Sequence, residues 1–245
     1  MIVVGTTVCG FVMGQENTWA SWMRNAEAIK ASHPEGVEYF ATIQTDVRGL
    51  SPFWPFVDRL TELGGRYWTF SLDDGRTEIT TWNRLRHSTT GLNLVADHAY
   101  QDHANCSHLL FLAADVEPPA DVLPKLLEVN YPVVAPFMST YVEHGFGAAD
   151  HPDVPGYPFP VKDTVITTSA MLIARRILQF VRWRWDAHVG CGDDHCFLHD
   201  LGKFHDIHQY MRMDCVARHF PERITSAGFH PSLRERGHTD LRVYR

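Results

Sequence analysis

The sequence lacks any apolar run of about 18 residues, the length needed to cross a lipid bilayer. It also lacks Lys or Arg ahead of its apolar N-terminal stretch MIVVGTTVCGFVMG, so we expect a first strand there rather than a signal peptide. It has only five cysteines, an odd number set in ordinary element patterns, which favours a reduced, cytoplasmic setting. It has no internal repeat and no low-complexity linker, which favours a single domain.

Positive charge is not in excess either, because the formal net charge is -7 at pH 7. This value argues against broad, sequence-blind affinity for nucleic acid or anionic membranes, although it is compatible with a local basic groove. With 44% hydrophobic and 12% aromatic residues among 245, the chain can bury a sizeable core. We therefore expect a folded globular protein.

Apolar runs and helical periodicities alternate along the first half of the chain. We expect strands at about 2–9, 37–45, 66–72 and 108–112, and helices from Asn17, at 55–63, at 81–104 and from Pro119. This alternation predicts an α/β fold with a largely parallel sheet. In such sheets ligands bind at the carboxyl ends of strands, where Asp46 and Asp115 both lie. The alternative role for Asp115 is to cap the turn before Pro118.

The second half is less regular. We expect a short strand at 133–137, a long loop at 138–163, and a strand that turns helical at 164–176. Loops of that length inside a compact domain are usually functional or mobile. Residues 182–219 are dense in side chains that bind metals or move protons, and three interpretations of them compete.

The first interpretation is a zinc site. The candidate ligands are Cys191, His195, Cys196, His199, His205 and His208. Zinc prefers two close pairs of ligands, and no second well-spaced cysteine pair exists here. The second interpretation uses the motif HDLGK at 199–203, which resembles the His–Asp core of the HD-domain metal phosphohydrolases. Those enzymes are all-helical, whereas the first half of this chain is rich in predicted strands. The motif also fits an amphipathic helix that ends on Gly202.

The third interpretation uses both halves of the chain. LLFLAADVEPP, SAMLIARR, RWD, GCGDDHCF and DCVARH follow one another in this order. Their order and spacing resemble the GT-A glycosyltransferases, especially the family-2-like group, with its LFLDADVxPP strand end, MLIRR segment, G-E-D at a helix start and late His. The resemblance runs from about residue 2 to 220. It implies one GT-A-like, Rossmann-like domain at 1–221 with a mixed, mostly parallel sheet flanked by helices. Residues 1–106 would be its nucleotide-binding half and 107–221 its metal and acceptor half, and 222–245 a C-terminal tail.

The resemblance implies an inverting enzyme that moves a sugar from a nucleotide sugar, with a UDP-sugar as the expected donor. In this family the D-x-D carboxylates hold Mn²⁺ or Mg²⁺ against the donor diphosphate. Asp115 matches the last acid of that motif, whereas Ala113 replaces the first. His219 matches the late His that completes the metal shell. The alternative for His219 is an ordinary surface histidine.

Asp193 and Asp194 match the acidic pair at the helix start. The resemblance makes Asp194 the general base that takes the proton of the acceptor hydroxyl. The alternative is that both acids only complement the dipole of the helix. We expect Trp183 and Trp185 to pack in the core and RWD, at 184–186, to support the helix.

The donor contacts implied by the resemblance lie in the first half of the chain. Asp46 would bind the base or ribose, Thr6 and Thr7 would lie beside the base, and Arg84 and Arg86 would lie near the diphosphate.

The acceptor would lie between loop 138–163 and the modestly basic tail after Pro221. Compact, unanchored relatives in bacteriophages add sugar to hydroxymethylated pyrimidines in DNA, so we expect modified DNA as acceptor, in the host cytoplasm. Protein and polysaccharide acceptors stay open, and no membrane partner is expected. Two other classes also stay open: a metal phosphohydrolase built on HDLGK, and a non-catalytic nucleotide-sugar binder, since Ala113 weakens the metal motif.

Overall fold

The computed structural model of the chain describes residues 1–9, 15–33, 35–45, 49–72, 81–114, 116–138, 156–159, 170–184 and 193–219. Within these ranges, strands and helices alternate. The strands are β1 (Ile2–Cys9), β2 (Val37–Gln44), β3 (Arg66–Phe70), β4 (His108–Leu112), β5 (Val116–Glu117), β6 (Val133–Met138), β7 (Gly156–Phe159), β8 (Ala170–Ala174) and β9 (Gln209–His219). The α-helices are α1 (Gln15–Ser32), α2 (Trp54–Glu62), α3 (Thr81–Asp97), α4 (Val122–Glu128) and α5 (Asp193–His205). Short 3₁₀ turns lie at Ser51–Phe53 and Ile177–Gln179, and a π-helical turn at His98–Asp102 continues α3.

The strands form one sheet in the order β3-β2-β1-β4-β8-β6-β9-β5, with β7 paired to β9. Strands β1 to β4 are parallel to one another. Strands β6 and β9 run in the same direction, whereas β5, β7 and β8 run against it. The prediction of an α/β fold with a mixed, mostly parallel sheet is therefore confirmed. We call the edge at which β1, β2, β4 and β9 end the carboxyl edge, and the edge at which they begin the amino edge.

Apolar side chains cover both faces of the sheet, because successive strand residues point to opposite faces. Val4 and Val8 of β1 pack in a cluster with Trp22 of α1. Val3 packs on the other face in a cluster with Val95 of α3. The sheet is thus buried between two helical layers, and side chains at the strand ends are the ones positioned to meet a ligand.

Glycine lets α3 approach the sheet closely. A Cβ built on Gly5 would lie 2.3 Å from Cγ1 of Val95, and a Cβ built on Gly91 would lie 2.0 Å from Oγ1 of Thr7. A larger side chain at either position would push the helix away from β1. This close packing sets the distance between α3 and β1, the strand that carries both Gly5 and Thr7.

Several boundaries differ from the sequence-based prediction. Helix α1 begins at Gln15, so Asn17 lies inside it rather than capping it. Helix α4 begins at Val122 rather than Pro119. The predicted loop 138–163 contains β7, which forms by pairing with an edge of β9. Among the described residues, no helix is long and apolar enough to cross a membrane.

Candidate active site at the carboxyl edge

A tight turn follows β4 at the carboxyl edge. Leu112, the last residue of β4, is fully buried, and the backbone N–H of Val116 donates a hydrogen bond to the carbonyl of Ala113 at 3.2 Å. Strand β5 then pairs antiparallel with the end of β9, so that Val116 lies opposite His219. Opposed residues in such a ladder have Cα atoms about 4.5–5.5 Å apart. The backbone of His219 therefore lies beside the residue that directly follows Asp115 in the sequence.

This turn is anchored from inside the protein. The buried amide of Asn25, on α1, donates a hydrogen bond to the carbonyl of Val116 at 2.5 Å. The side chain of Val116 is itself fully buried. A buried amide that lost this acceptor would be left unsatisfied, at a cost of about 1–3 kcal/mol. The backbone after position 115 is thus fixed by both α1 and β9.

Ala113 occupies the position at which the resembled motif has its first acid. It is partly buried and packs against both apolar clusters, one on each face of the sheet. A methyl group here contributes to packing and offers no oxygen to a metal. The side chain at position 113 therefore serves the packing of the core.

Helix α5 begins at Asp193, as the sequence predicted. Its C-terminal residue His205 is followed closely by Gln209, the first residue of β9 at the amino edge. The helix therefore runs from the carboxyl edge to the amino edge, with the backbone of Asp193 and Asp194 in its first turn. An ionised acid in that turn is favoured by the helix dipole.

Trp183 joins α5 to the sheet. Its ring is 2% exposed, stacks on Phe197 of α5 with ring centroids 4.3 Å apart, and lies 6.4 Å from the ring of Phe111 in β4. The side chain of Asn93 on α3 holds its backbone by accepting from Trp183 N at 2.9 Å and donating to Trp183 O at 2.8 Å. The predicted core position of Trp183 is confirmed, whereas Trp185 lies outside the described residues.

The motif HDLGK forms the second half of α5, and its acid has a structural partner. Arg184 Nε and Nη2 donate to the two carboxylate oxygens of Asp200 at 2.8 and 2.9 Å, and His199 Nδ1 lies 3.3 Å from Asp200. Hydrogen bonds from Arg184 hold the pKa of Asp200 below its usual value, while partial burial opposes them. Arg184 thus supports α5, as expected for RWD. The stranded fold and this ion pair both count against an all-helical HD phosphohydrolase.

The zinc interpretation of residues 182–219 finds no support in the part of the chain that the structure describes. Cys196 is buried, whereas His199 and His205 are exposed. No group of three of these side chains converges among the described residues. Cys191 lies outside them.

Thr6 and Thr7 lie within β1, which continues to Cys9. Both hydroxyl oxygens are buried and have no hydrogen-bond partner among the described residues. Thr7 lies beneath Gly91 of α3, and Thr42 on the neighbouring strand donates to the Gly91 carbonyl at 3.1 Å. Contact of Thr6 and Thr7 with a nucleotide base stays a prediction.

The other predicted donor contacts are described in part. Arg84 and Arg86 lie in the first half of α3, which precedes β4, as predicted. Arg86 is partly buried. Six predicted features lie outside the described part of the chain: the residues Asp46 and Asp115, and the side chains of Arg84, Asp193, Asp194 and His219. Their roles stay predictions, although the backbone positions of the last four are described.

One group of chemically active side chains was not predicted from the sequence. Glu38, His98 and His103 meet at the amino edge, with their potential ligand atoms all within 4.8 Å of one another. The only signal in the sequence was HAYQDH at 98–103, where two histidines frame an acid. Glu38 is too distant in the chain to be linked to them by spacing.

No family model and no curated protein matches the chain. Solved structures with a partly similar fold include the galactosyltransferase LgtC in complex with donor and acceptor sugar analogs, at 15% identity, with 100% of this chain and 85% of that chain covered and a TM-score of 0.39. The structure of an active-site mutant of LgtC matches at 16% identity, with 72% of this chain and 58% of that chain covered and a TM-score of 0.38.

Two further structures match at similar levels. Core-mannan synthase A from Aspergillus fumigatus, in a Mn/GDP form, matches at 8% identity over 89% of this chain and 74% of its own, with a TM-score of 0.43. A nucleoside-diphosphate-sugar pyrophosphorylase from Vibrio cholerae matches at 10% identity, with 89% of this chain and 92% of that chain covered and a TM-score of 0.45. All four TM-scores are below 0.5.

Proposed function

We propose that this chain is a nucleotide-sugar-dependent glycosyltransferase whose donor and acceptor meet at the carboxyl edge. The observation that carries the proposal is the pairing of Val116 with His219. It brings the end of β9 beside Val116, the residue that follows Asp115 in the sequence, although β5 and β9 are far apart in the chain. The start of α5 at the same edge supports the participation of Asp194.

Asp115 and His219 are the proposed protein ligands of a divalent cation, Mn²⁺ or Mg²⁺. Carboxylate and imidazole together suit such a cation, and Ala113 adds no third ligand. When bound, the cation stabilises the negative charge of the departing diphosphate. The short β5–β9 ladder supports this pairing, because it limits how far the two backbones can separate.

Asp194 is the proposed general base, with Asp193 beside it. Its carboxylate accepts the proton of the acceptor hydroxyl while that oxygen forms a bond to the anomeric carbon. The bond between the anomeric carbon and the diphosphate oxygen breaks on the opposite face, so the configuration inverts. The position of the acid in the first helical turn favours its ionised form.

The donor is proposed to be a UDP-sugar. Asp46 follows β2 and Thr6 and Thr7 lie in β1, so base and ribose would bind over the first two strands. Arg84 and Arg86 would lie on the diphosphate side, since α3 begins at the carboxyl edge before β4. These arginines would offset the part of the negative charge of the diphosphate that the cation does not neutralise.

The proposed acceptor is a hydroxymethylated pyrimidine in DNA, modified in the cytoplasm of a phage-infected cell. The support is the sequence alone: the tail 222–245 after the proposed domain at 1–221 carries more Arg than acidic residues. Incubation with radiolabelled donor and three acceptors tests it: hydroxymethylated DNA, unmodified DNA and polysaccharide. Label on hydroxymethylated DNA alone supports the proposal, and label only on polysaccharide or on the protein overturns this acceptor.

The donor site is tested by the thermal shift of the protein with UDP-, GDP- and dTDP-sugars, with and without Mn²⁺. A ligand that binds only the native state raises the melting temperature. We expect a shift that needs both a nucleotide sugar and Mn²⁺ and that Asp115→Asn removes. Asp206→Asn is the matched control, because the side chain of Asp206 is fully exposed on a turn. A shift that survives Asp115→Asn would contradict the metal assignment.

A non-catalytic nucleotide-sugar binder is the second candidate, and the packing role of Ala113 favours it. The two are separated by release of free nucleotide diphosphate in the presence of acceptor. A binder would show the thermal shift without any release, whereas a transferase would show both.

A further inference from the structure

Three side chains from two elements meet at the amino edge, on the opposite side of the molecule from the proposed active site. Glu38 lies at the start of β2, and His98 and His103 frame the π-helical turn that ends α3. His98 Nε2 lies 3.0 Å from Glu38 Oε1, and His103 Nε2 lies 2.9 Å from Glu38 Oε2. The two Nε2 atoms are 3.2 Å apart. The two Nε2 atoms and either carboxylate oxygen of Glu38 are potential metal ligands.

These separations suit one tetrahedral ion. Zinc binds imidazole nitrogen and carboxylate oxygen at about 2.0–2.2 Å, so two ligand atoms in a tetrahedral shell are roughly 3.3 Å apart. The observed separations of 2.9, 3.0 and 3.2 Å are close to this value. The carboxylate of Glu38 faces the two imidazoles with different oxygens. Because one ligand atom of each residue lies within 4.8 Å of the others, the two Nε2 atoms and one oxygen of Glu38 can surround a single ion.

The π-helical turn explains why the two histidines meet. Residues five positions apart would diverge on an α-helix, whereas a turn with bonds from i to i+5 brings them to the same side. His98 opens this turn and His103 follows its last residue, Asp102. Such turns are rare and are frequently found at functional sites.

The ring of His98 is held in one orientation. It is 1% exposed, stacks on Phe40 of β2 with ring centroids 3.7 Å apart, and its Nδ1 lies 2.8 Å from Asp102 Oδ2. When Nδ1 carries the proton and donates it to Asp102, the neutral ring presents a lone pair at Nε2 toward Glu38. Histidine ligands of metals commonly have such a carboxylate partner on their other nitrogen.

We propose that Glu38, His98 and His103 bind one Zn²⁺ ion at the amino edge, with Asp102 as the outer partner of His98. With its proton on Nδ1, His98 presents only a lone pair at Nε2 toward the second imidazole nitrogen and the carboxylate. Two imidazoles and one carboxylate match zinc better than Mg²⁺, which prefers oxygen ligands. The ion would join β2 to the end of α3, and a water molecule would take the fourth position.

Arg66 of β3 is the competitor of the ion. Its Nη2 lies 2.6 Å from Glu38 Oε1 and 3.0 Å from His103 Nε2, and its side chain is 59% exposed. A guanidinium in this place repels a metal cation, and its exposure leaves it room to turn into solvent. Removal of this charge is therefore expected to tighten zinc binding, whereas removal of a ligand weakens it.

The experiment uses the full chain, stripped of metal with a chelator and titrated with zinc alone, followed by dialysis and measurement of zinc per chain. Wild type should retain one zinc ion. His103→Gln should lose it, while His33→Gln, a change of the same kind on a histidine after α1, should keep it. Asp102→Asn should weaken binding roughly ten- to a hundredfold, and Arg66→Gln should strengthen it. Circular dichroism confirms that each variant is folded.

The alternative is a metal-free network of ion pairs among the same residues. It predicts that no zinc is retained, or that His103→Gln and His33→Gln retain the same amount, and either result overturns the proposal. It also predicts that Arg66→Gln does not tighten binding, because the change would only delete an ion pair. None of these outcomes depends on the proposed transferase activity, since the zinc measurement needs no nucleotide sugar.

Discussion

The candidate functional side chains at the two edges of the sheet differ in their structural setting. At the amino edge, His98 is almost fully buried and stacks on Phe40, and Glu38 and His103 beside it are partly buried. At the carboxyl edge, the candidate residues follow strands or open a helix, and the fully buried residues nearest to Asp115 in the sequence are Leu112 and Val116. Changes to the buried side chains at the amino edge are therefore expected to alter stability, whereas changes to the candidate catalytic side chains at the carboxyl edge are expected to alter turnover.

The largest effect is expected for Asp194→Asn at the carboxyl edge. Loss of a general base slows turnover by about 10²–10⁴-fold, and donor binding and melting temperature should stay as in wild type. Steady-state kinetics with UDP-sugar and acceptor measures the rate, and Asp206→Asn serves as the control. Equal turnover in Asp194→Asn and wild type would remove Asp194 from the mechanism.

Trp183→Ala is expected to have the largest effect on stability. The residue fills the space between β4 and α5, and removal of a buried aromatic ring costs about 3–5 kcal/mol. Urea denaturation followed by circular dichroism gives the free energy of unfolding. Trp54→Ala is the matched control, because Trp54 is 47% exposed. A loss below about 1 kcal/mol, the central value for point mutants, would show that Trp183 does not couple α5 to the sheet.

Zinc should act on stability through the amino edge. A ligand at a hundredfold its dissociation constant stabilises the native state by about 2.7 kcal/mol. For a chain of this size that corresponds to a rise in melting temperature of roughly 5–10 °C. Thermal denaturation with and without zinc measures the rise, and His103→Gln should abolish it. An equal rise in that variant would assign the effect to other histidines.

The smallest effect concerns pH and the Arg184–Asp200 ion pair that supports α5. Arg184 lowers the pKa of Asp200 in the folded state. The stabilisation is therefore complete above the usual pKa of an aspartate and is lost as the pH falls through the lowered value. The pair is partly exposed, so we expect about 0.2–1 kcal/mol. The free energy of unfolding, measured by urea denaturation between pH 6 and pH 3, should fall less steeply with falling pH for Asp200→Asn than for Asp206→Asn.

The first half of the fold could be predicted closely from the sequence. Strands β1, β2 and β4 are buried on both faces and read as apolar runs, so their limits were found within a residue or two. The start of α5 agrees with the helix start that the family resemblance implied at Asp193 and Asp194. These signals are local, and that is why they can be read from one sequence.

The features that depend on distant pairing could not be predicted. Strand β7 exists because it pairs with β9, and nothing in GYPF alone specifies that partner. The pairing of Val116 with His219 is of the same kind, although motif order had linked the two regions. At the amino edge, Glu38 meets His98 only because β2 and α3 lie side by side, and the π-helical turn that directs His103 leaves no periodic signal.

The carboxyl edge is proposed to bind both the metal and the nucleotide sugar. Broadening of backbone amide signals by Mn²⁺ in NMR spectra is the decisive test of this location. Strand β1 has eight residues, so the two edges are roughly 26 Å apart. With Mn²⁺ and UDP-sugar together, the account predicts broadening at Val116 and Ala217 and sharp signals at Val37 and Glu38. Broadening centred on Glu38, or none at Val116, would contradict the account.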